Sequence, residues 1–574
     1  VTGAGSRLPW VALVVVALAV LVRAPVLGAG FVSDDYVLVA GIEGKSPLAN
    51  TRYDLWSFYD GVPARQSRLV FDGGLPWWTA PTAAHAFFRP LASALLVAAH
   101  ALFGRHAAGY YALLLGLCAY DATMAAVIFA RLLSRRAATI ALLLFAFHAL
   151  HVDPTRWIST VHILLSAAAG LTGWWWTLRW REDGWKPGRY AAMVAFALAL
   201  LAGEGGLGVL AYVACREIAS PRSPGRAVAI ATPALFGGVY VALYAAFHRG
   251  AHGIDGYLDP FASPGRFVAQ FAGRLVREIP LLFTAPAEGA LAGLGPAADA
   301  AAVPVLVAGG VVLVVLAYSF DRASLRACGW WAAASLLCAM PALLGPTDRA
   351  LYAATLGSAA VLGILVAAAW KIVSGEAGAS LLVRGLAAAG GSIVVLAHVG
   401  LGAFANLEGA RAMAGISSGQ LGDVASLKLA SPQGTDLVVL SADGQTSGPW
   451  GGVLYAFATG SAPRSWQVLA LGPQPHSVAR IADDTIEIAP AGGSGFEMHL
   501  YRDVEANPMH AGDRIATRGL TIEVVDVTAE GRPTRIRVQA DRSLDDPSFC
   551  FASRGREHLS RVQLPPVGTG VWLR

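Results

Sequence analysis

Charge is scarce in this chain, so each acid or arginine beside an apolar stretch is a candidate for chemistry. Asp, Glu, Lys and Arg make up 14% of the 574 residues, against about 25% in a soluble domain. Asp34 and Asp35 stand side by side in "FVSDDYVLVA" (31–40), just after the first apolar run. A carboxylate in or beside a membrane segment is costly and usually functional. The pair can bind a divalent metal of the Mg or Mn kind, or one member can deprotonate a hydroxyl as general base. The structural alternative is a helix end marked by solvated acids.

Four further stretches carry groups suited to an anionic, hydroxyl-bearing ligand. Arg89-Pro90 opens an apolar helix in "AHAFFRPLASALL" (84–96), where proline is tolerated in the first turn; Arg89 can bind phosphate, neutralise the acids or anchor at the interface. "FAFHALHVDPTRWISTVHILLS" (145–166) gathers His148, His151, Asp153, Arg156 and His162 around one turn. No HExxH spacing is present there, so a polar floor for a substrate headgroup is the better reading than a metal site. Glu204 is the one acid in "LALLAGEGGLGVLAY" (198–212), and flanking glycines permit a broken helix or close backbone approach. In "LLGPTDRALYAATLG" (343–357), Arg349 and Tyr352 sit three apart at a helix start, which favours an anion site or an aromatic and basic anchor.

The elements that must position these residues are membrane helices. Runs such as "LPWVALVVVALAVLV" and "AAVPVLVAGGVVLVVLAYSF" are of the kind that spans a bilayer, which takes roughly 20 helical residues. Thirteen apolar segments can be marked between residues 8 and 405. The fold class is therefore an α-helical polytopic membrane protein with about 11–13 spans. "VTGAGSR" with the run after it resembles a signal sequence, but the apolar stretch continues through Arg23 without a small-residue cleavage site, so an uncleaved first helix is expected.

The chain divides by composition into 1–405, the transmembrane part, and 406–574, where short alternating stretches such as "DLVVLS", "RIADDTIEIA", "FEMHLY", "LTIEVVDV" and "RIRVQA" predict a small all-β domain. Residues 29–87 form a long loop with Trp56, Phe58, Tyr59, Phe71, Trp77 and Trp78; aromatics of this kind favour headgroup depth, and amphipathic helices on the membrane surface are expected. Arg and Lys in 179–189, 215–226, 321–326 and 371–384 mark those loops as cytoplasmic. The turn at Glu204, the "GPTDR" turn, the 29–87 loop and the tail then lie outside the cytoplasmic membrane. Simple alternation makes "RLLSRR" (131–136) external while its charge makes it cytoplasmic, so one segment between 88 and 151 is short, re-entrant or merged. The net charge of +5 is spread over short loops and gives no reason to invoke nucleic acid. The five cysteines, 118, 215, 328, 338 and 550, show neither zinc spacing nor a disulfide framework.

Taken in order, these segments resemble the GT-C superfamily of polytopic glycosyltransferases, closest to the branch of protein O-mannosyltransferases and their TPR-bearing transmembrane relatives. The resemblance rests on "FVSDDY", "FFRPLASALLVAAHALFG", "LLFAFHALHVDPTRWISTVHILL", "LAGEGGLGVLAYVACRE" and "DRALYAATLG", scattered over residues 31–357. It implies a sugar donor linked to polyprenyl phosphate, Asp34 as catalytic base with Asp35 supporting it or binding metal, Arg349 with Tyr352 as the lipid-phosphate contact, and Glu204 lining the cavity. Arg89, His151, Asp153 and Arg156 complete the substrate-binding set. The chain departs from the family where "HPLHVE" reads "HALHVD" and "KE" reads "GE", and in "HAAGYYALLLGLCAYDAT".

The expected function is transfer of a sugar, with inversion, from that donor to a hydroxyl of a glycan, lipid or protein on the outer side of the cytoplasmic membrane. A non-catalytic lipid-binding scaffold is the rival. A transporter ranks below both, because inverted repeats are not evident.

Overall fold

A computed structural model describes residues 8–573 apart from 49–50, 261–263, 285–295, 346–347, 494, 499 and 556–557. The chain forms two compact units. The first comprises Val1–Ala29, Arg89–Ala245 and Leu258–Ala414; the second comprises Gly30–Phe88, Ala246–Tyr257 and Gly415–Arg574. This division differs from one at 405/406. A helix runs through that point without interruption, from Leu381 to Ala425, and residues 30–88 group with the tail.

The first unit is a helical bundle whose elements begin and end at local signals. Pro90 and Pro187 open their helices, and the side chains of Ser134, Asp321 and Ser380 accept N–H groups of the turns that follow. Gly184, with φ of 70°, closes the helix Val161–Asp183 in the left-handed conformation. Two helix contacts depend on glycine: a Cβ on Gly363 would stand 2.8 Å from the Ala137 carbonyl oxygen, and one on Gly402 would run into that of Phe147. Backbones approach this closely in membrane bundles where small residues face each other.

Among the described residues six helices are long and apolar enough to cross a membrane, and the pair Arg135–Ala146 and Ala149–Arg156, bent by 48°, makes a seventh if counted as one span. In this multi-pass membrane protein the full-length spans among the described residues are fewer than the 11–13 spans expected, and shorter apolar helices accompany them. Apolar helices such as Pro90–Phe103 and Pro187–Ala202 have 14 and 16 residues, about 21–24 Å at 1.5 Å per residue against a hydrocarbon core of about 30 Å.

Ion pairs show which loops "RLLSRR" lies beside. Arg131 pairs with Glu182 at 2.7 Å and with Asp183, while Arg216 reaches Glu182 at 3.3 Å and Arg181 pairs with buried Glu217 at 3.1 Å. Arg136 meets Glu376 at 2.8 Å, and Lys371 meets Asp321 at 2.6 Å. Residues 131–136 thus share one end of the bundle with all four loops whose charge marks them as cytoplasmic. Residues 131–136 therefore lie with the loops of like charge, and simple alternation fails because the segments after residue 88 include a short helix and a broken one.

The second unit contains three sheets. Strands β1 (Ser57–Asp60), β2 (Ala84–Ala86) and β3 (Gly250–His252) form an antiparallel sheet from two distant segments. The tail supplies β4 (Asp436–Val439), β5 (Ser465–Val468), β6 (His476–Ala482), β7 (Thr485–Pro490), β8 (Arg514–Thr517), β9 (Leu520–Val527), β10 (Pro533–Ala540), β11 (Phe549–Arg554), β12 (Leu559–Arg561) and β13 (Gly570–Leu573). Strands β13-β6-β7-β10-β9-β8 form an antiparallel sheet, and β12-β11-β4-β5 a mixed one. In the mixed sheet β4 pairs in parallel with both β11 and β5, and the helix Gly451–Thr459 connects β4 to β5. The tail is β-rich as expected, yet this βαβ crossover means that it is not all-β. "FEMHLY" forms no strand among its described residues.

The aromatic loop 29–87 also folds otherwise than expected. Trp56, Phe58, Tyr59, Trp77 and Trp78 are all buried within the second unit. The Trp77 indole N–H donates to the Leu469 carbonyl at 3.1 Å, and Arg502 donates to the Trp78 carbonyl at 2.7 Å. Phe71 alone of the six named aromatics is exposed, with the Arg518 guanidinium 5.6 Å from its ring. These rings build a protein core rather than lying at headgroup depth.

Candidate functional site

In the first unit the polar candidates collect at helix starts. Arg89 precedes the helix Pro90–Phe103, and Glu204 precedes Gly205–Ala219, where the positive end of the helix dipole favours an acid. Arg89 Nε donates to Glu204 Oε2 at 3.0 Å, and the Tyr244 hydroxyl donates to Glu204 Oε1. The arginine and acid side chains keep 12% and 23% of their exposure, so the pair is largely desolvated. His162 lies beside it: a Cβ built on Gly203 would stand 3.3 Å from His162 and 3.7 Å from Arg89.

Arg349 lies in the turn Asp348–Ala354. Pro346 and Thr347 of "GPTDR" fall outside the described residues. The Arg349 guanidinium rests over the Trp157 ring, 4.4 Å from its centroid, a contact that holds the cation while leaving its N–H groups available. No carboxylate pairs with Arg349 among the described residues, and the Trp157 indole N–H has no hydrogen-bond partner among them. His162 is within electrostatic range of both Arg89 and Arg349. With Arg89 paired to Glu204, Arg349 is the cation of this group that has no carboxylate partner among the described residues.

The remaining candidates of this unit have other tasks. Asp153 and Arg156 pair with each other at 2.7 Å, and Arg156 also leans on the Gly409 carbonyl. His151 is buried and joined to Thr355 Oγ1 at 2.8 Å, so it forms no part of an open polar floor. Tyr352 is buried too, and donates its hydroxyl to Asp121 Oδ2 at 3.1 Å. It packs into the bundle beside Arg349.

Asp34 and Asp35 belong to the second unit. They do not end the first helix, which stops at Arg23 and is followed by the turn Ala24–Gly28; they open a new helix, Asp34–Ile42. The two acids differ in environment. Asp35 is buried, and its Oδ2 accepts the Val32 N–H at 3.0 Å while its own N–H returns to the Val32 carbonyl. Asp35 therefore builds the turn, and Asp34 is half-buried beside it. Ser33 between them and Val32 has φ of 51°, in a region that costs a non-glycine residue about 1–3 kcal/mol. Two side chains hold this turn: Ser417 Oγ accepts the Gly30 N–H at 3.0 Å, and Gln420 Oε1 accepts the Ser33 N–H at 2.8 Å.

A metal at this acid pair finds few donors. One Asp35 oxygen is committed to backbone, and among the described residues no three His, Cys, Asp or Glu side chains converge as ligands. The described residues around the pair do not make a protein-built cage for a metal.

Sequence reasoning missed Tyr244, Trp157, Ser417 and Gln420 as partners, and Asp121 as the acid behind Tyr352. Trp157 and Asp121 stood in stretches already singled out. The others carried no local signal.

No protein-family model matches the chain, and no curated protein matches it. Solved structures with an overall likeness include the Archaeoglobus fulgidus oligosaccharyltransferase tethered with an acceptor peptide, at 12% identity and a TM-score of 0.43, covering 80% of this chain and 64% of that one. AglB from the same organism, in complex with an inhibitory peptide and a dolichol-phosphate, gives 13% and 0.43, with 79% and 64% covered. ArnT from Cupriavidus metallidurans bound to undecaprenyl phosphate gives 14% and 0.41, with 81% and 90% covered. The chain thus spans under two thirds of the length of the archaeal enzymes.

Proposed function

We propose that this protein is a membrane glycosyltransferase of the GT-C type, transferring a sugar from a polyprenyl-phosphate donor to an acceptor hydroxyl on the outer side of the cytoplasmic membrane. The observation that carries this reading is Arg349, held over Trp157 without a carboxylate partner among the described residues and sharing His162 with the Arg89–Glu204 pair. An uncompensated guanidinium at a helix start suits a phosphate. The ordered sequence stretches that resemble the GT-C superfamily support the same reading. The basic end of the bundle, being cytoplasmic by the distribution of Arg and Lys, supports an outward-facing reaction and an extracytoplasmic tail.

In this mechanism Arg349 binds the donor phosphate and stabilises the charge that grows on it as the bond from the anomeric carbon to the phosphate oxygen breaks. The acceptor oxygen attacks the opposite face of that carbon, and Asp34, the base that the sequence resemblance implies, takes the hydroxyl proton. One displacement inverts the anomeric configuration and leaves the glycosylated acceptor, polyprenyl phosphate and a protonated Asp34. Asp35 takes no proton from substrate; its carboxylate holds the turn that carries Asp34.

The test is release of polyprenyl phosphate from a labelled polyprenyl-phosphate sugar by protein in lipid nanodiscs. Turnover that is lost in Arg349→Ala supports the assignment. Binding of the donor with no transfer to any acceptor supports the lipid-binding scaffold instead.

A further inference from the structure

We infer that Asp121 is a positioning residue for the phosphate contact: by holding Tyr352 it fixes the turn that presents Arg349. This rests on the proposed role of Arg349. Asp121 lies about 21 Å from one end of the helix Ala107–Leu132 and about 17 Å from the other, at 1.5 Å per residue. A carboxylate at that depth is expensive and is retained for a task. Asp121 is fully buried, and Tyr352 provides the one hydrogen bond to its carboxylate among the described residues; its Oδ1 has no partner there. Arg23, also fully buried, is within electrostatic range of Tyr352 and of Cys118, which Asp121 reaches as well.

The turn Asp348–Ala354 is a 3-10 helix, so residues three apart lie on the same face. Arg349 and Tyr352 therefore stack along one side. That side meets a single segment twice: Trp157 lies under Arg349 at 4.4 Å, and the His151 ring lies 4.2 Å from the Tyr352 ring. Thr355 Oγ1 donates to the Tyr352 carbonyl at 2.6 Å and receives a hydrogen bond from His151 Nε2 at 2.8 Å, which assigns the Nε2–H tautomer to His151. Trp157 alone can hold the Arg349 guanidinium sideways, but it cannot stop the turn from rotating about its axis. The Tyr212 and Ser335 hydroxyls hold the far end of the turn by donating to the Ala353 and Ala354 carbonyls, and the Tyr352–Asp121 bond, nearer to Arg349 and anchored in another helix, fixes the side that carries it. The same geometry explains why Tyr352 is buried beside a candidate ligand-binding arginine.

The experiment measures binding of undecaprenyl monophosphate to the full chain in nanodiscs, with thermal unfolding of each variant as a control. Tyr352→Phe, which keeps the ring and removes the hydroxyl, weakens binding about tenfold, the upper range for one hydrogen bond. Asp121→Leu does the same, while Asp121→Asn retains an acceptor for the Tyr352 hydroxyl and binds like the parent. Tyr352→Phe adds nothing once Arg349 is Ala, because the two act through one group. A merely structural role gives no such dependence and no rescue by Asn. If Asp121→Leu fails to fold, Tyr352→Phe decides. Parental affinity in Tyr352→Phe, with Arg349→Ala still defective, overturns this inference and leaves the phosphate site standing. No binding by the parent chain, or undiminished binding by Arg349→Ala, overturns both.

Discussion

The Arg89–Glu204 pair offers the sharpest energetic test in the first unit. Its donor and acceptor are 3.0 Å apart, with 12% and 23% of the side chains exposed. At an effective dielectric of about 20, unit charges about 4 Å apart attract by about 4 kcal/mol. Desolvation of both groups cancels part of this, and a hydrogen bond to a charged group nets about 1.5–3 kcal/mol. A coupling energy near 2 kcal/mol follows. The assay is a double-mutant cycle of Arg89→Met, Glu204→Gln and the combined variant, read by reversible unfolding in mixed micelles. Each single variant leaves a largely buried partner charge, so each costs more stability than the pair itself is worth, and the double variant recovers the difference. Single-variant losses that simply add, to within about 0.5 kcal/mol, refute the pairing. Tyr244→Phe in the same cycle lowers stability by about 1 kcal/mol, because Glu204 loses its second donor.

Three further outcomes follow from the structure. Ser33→Gly relieves the strain at φ of 51° and raises unfolding stability by about 1 kcal/mol; a neutral or destabilising effect in the full chain contradicts the conformation of that turn. His476 is buried on β6, and burial pushes its pKa down from 6.5 to about 4, with a backbone hydrogen bond at Gln474 opposing. The native state therefore keeps the ring neutral where the unfolded chain protonates it: the stabilisation is complete above pH 6.5 and declines as pH falls toward 4, by up to about 3 kcal/mol. Thermal unfolding across that range shows the slope, and His476→Gln flattens it. Gly402→Ala drives a methyl into the Phe147 carbonyl and costs about 3 kcal/mol by overpacking, measured as a loss of thermal stability in detergent.

The membrane class was legible because long apolar runs have few soluble explanations, and the clustering of the basic loops at one end of the bundle was legible because Arg and Lys mark them. Strands β6, β7, β9 and β10 were legible from alternation alone. The fate of residues 30–88 was not. Tryptophan and tyrosine serve a membrane interface and a protein core equally well, and only partners such as Leu469 and Arg502, about 400 residues away, decide between them. The candidate site shows the same limit. Residue type and helix starts single out Arg89, Glu204 and Arg349 in the first unit and, separately, Asp34 in the second. The hydroxyl of Tyr352 looked like a ligand contact because its partner, Asp121, lies 231 positions earlier. Asp35 is buried and accepts the Val32 N–H while Asp34 is half-buried, and adjacency in sequence carries no trace of that difference.

Proton transfer to Asp34 is the step on which the proposed chemistry depends. Asp34→Asn keeps the size of the side chain and the turn closed by Asp35, and removes the base. In single-turnover assays with a labelled polyprenyl-phosphate sugar, the variant should bind donor with unchanged affinity and lose transfer by at least about 100-fold, the lower range for a general base. Asp35→Asn, by contrast, should lower folding stability first. Transfer by Asp34→Asn at the parental rate would contradict the assignment.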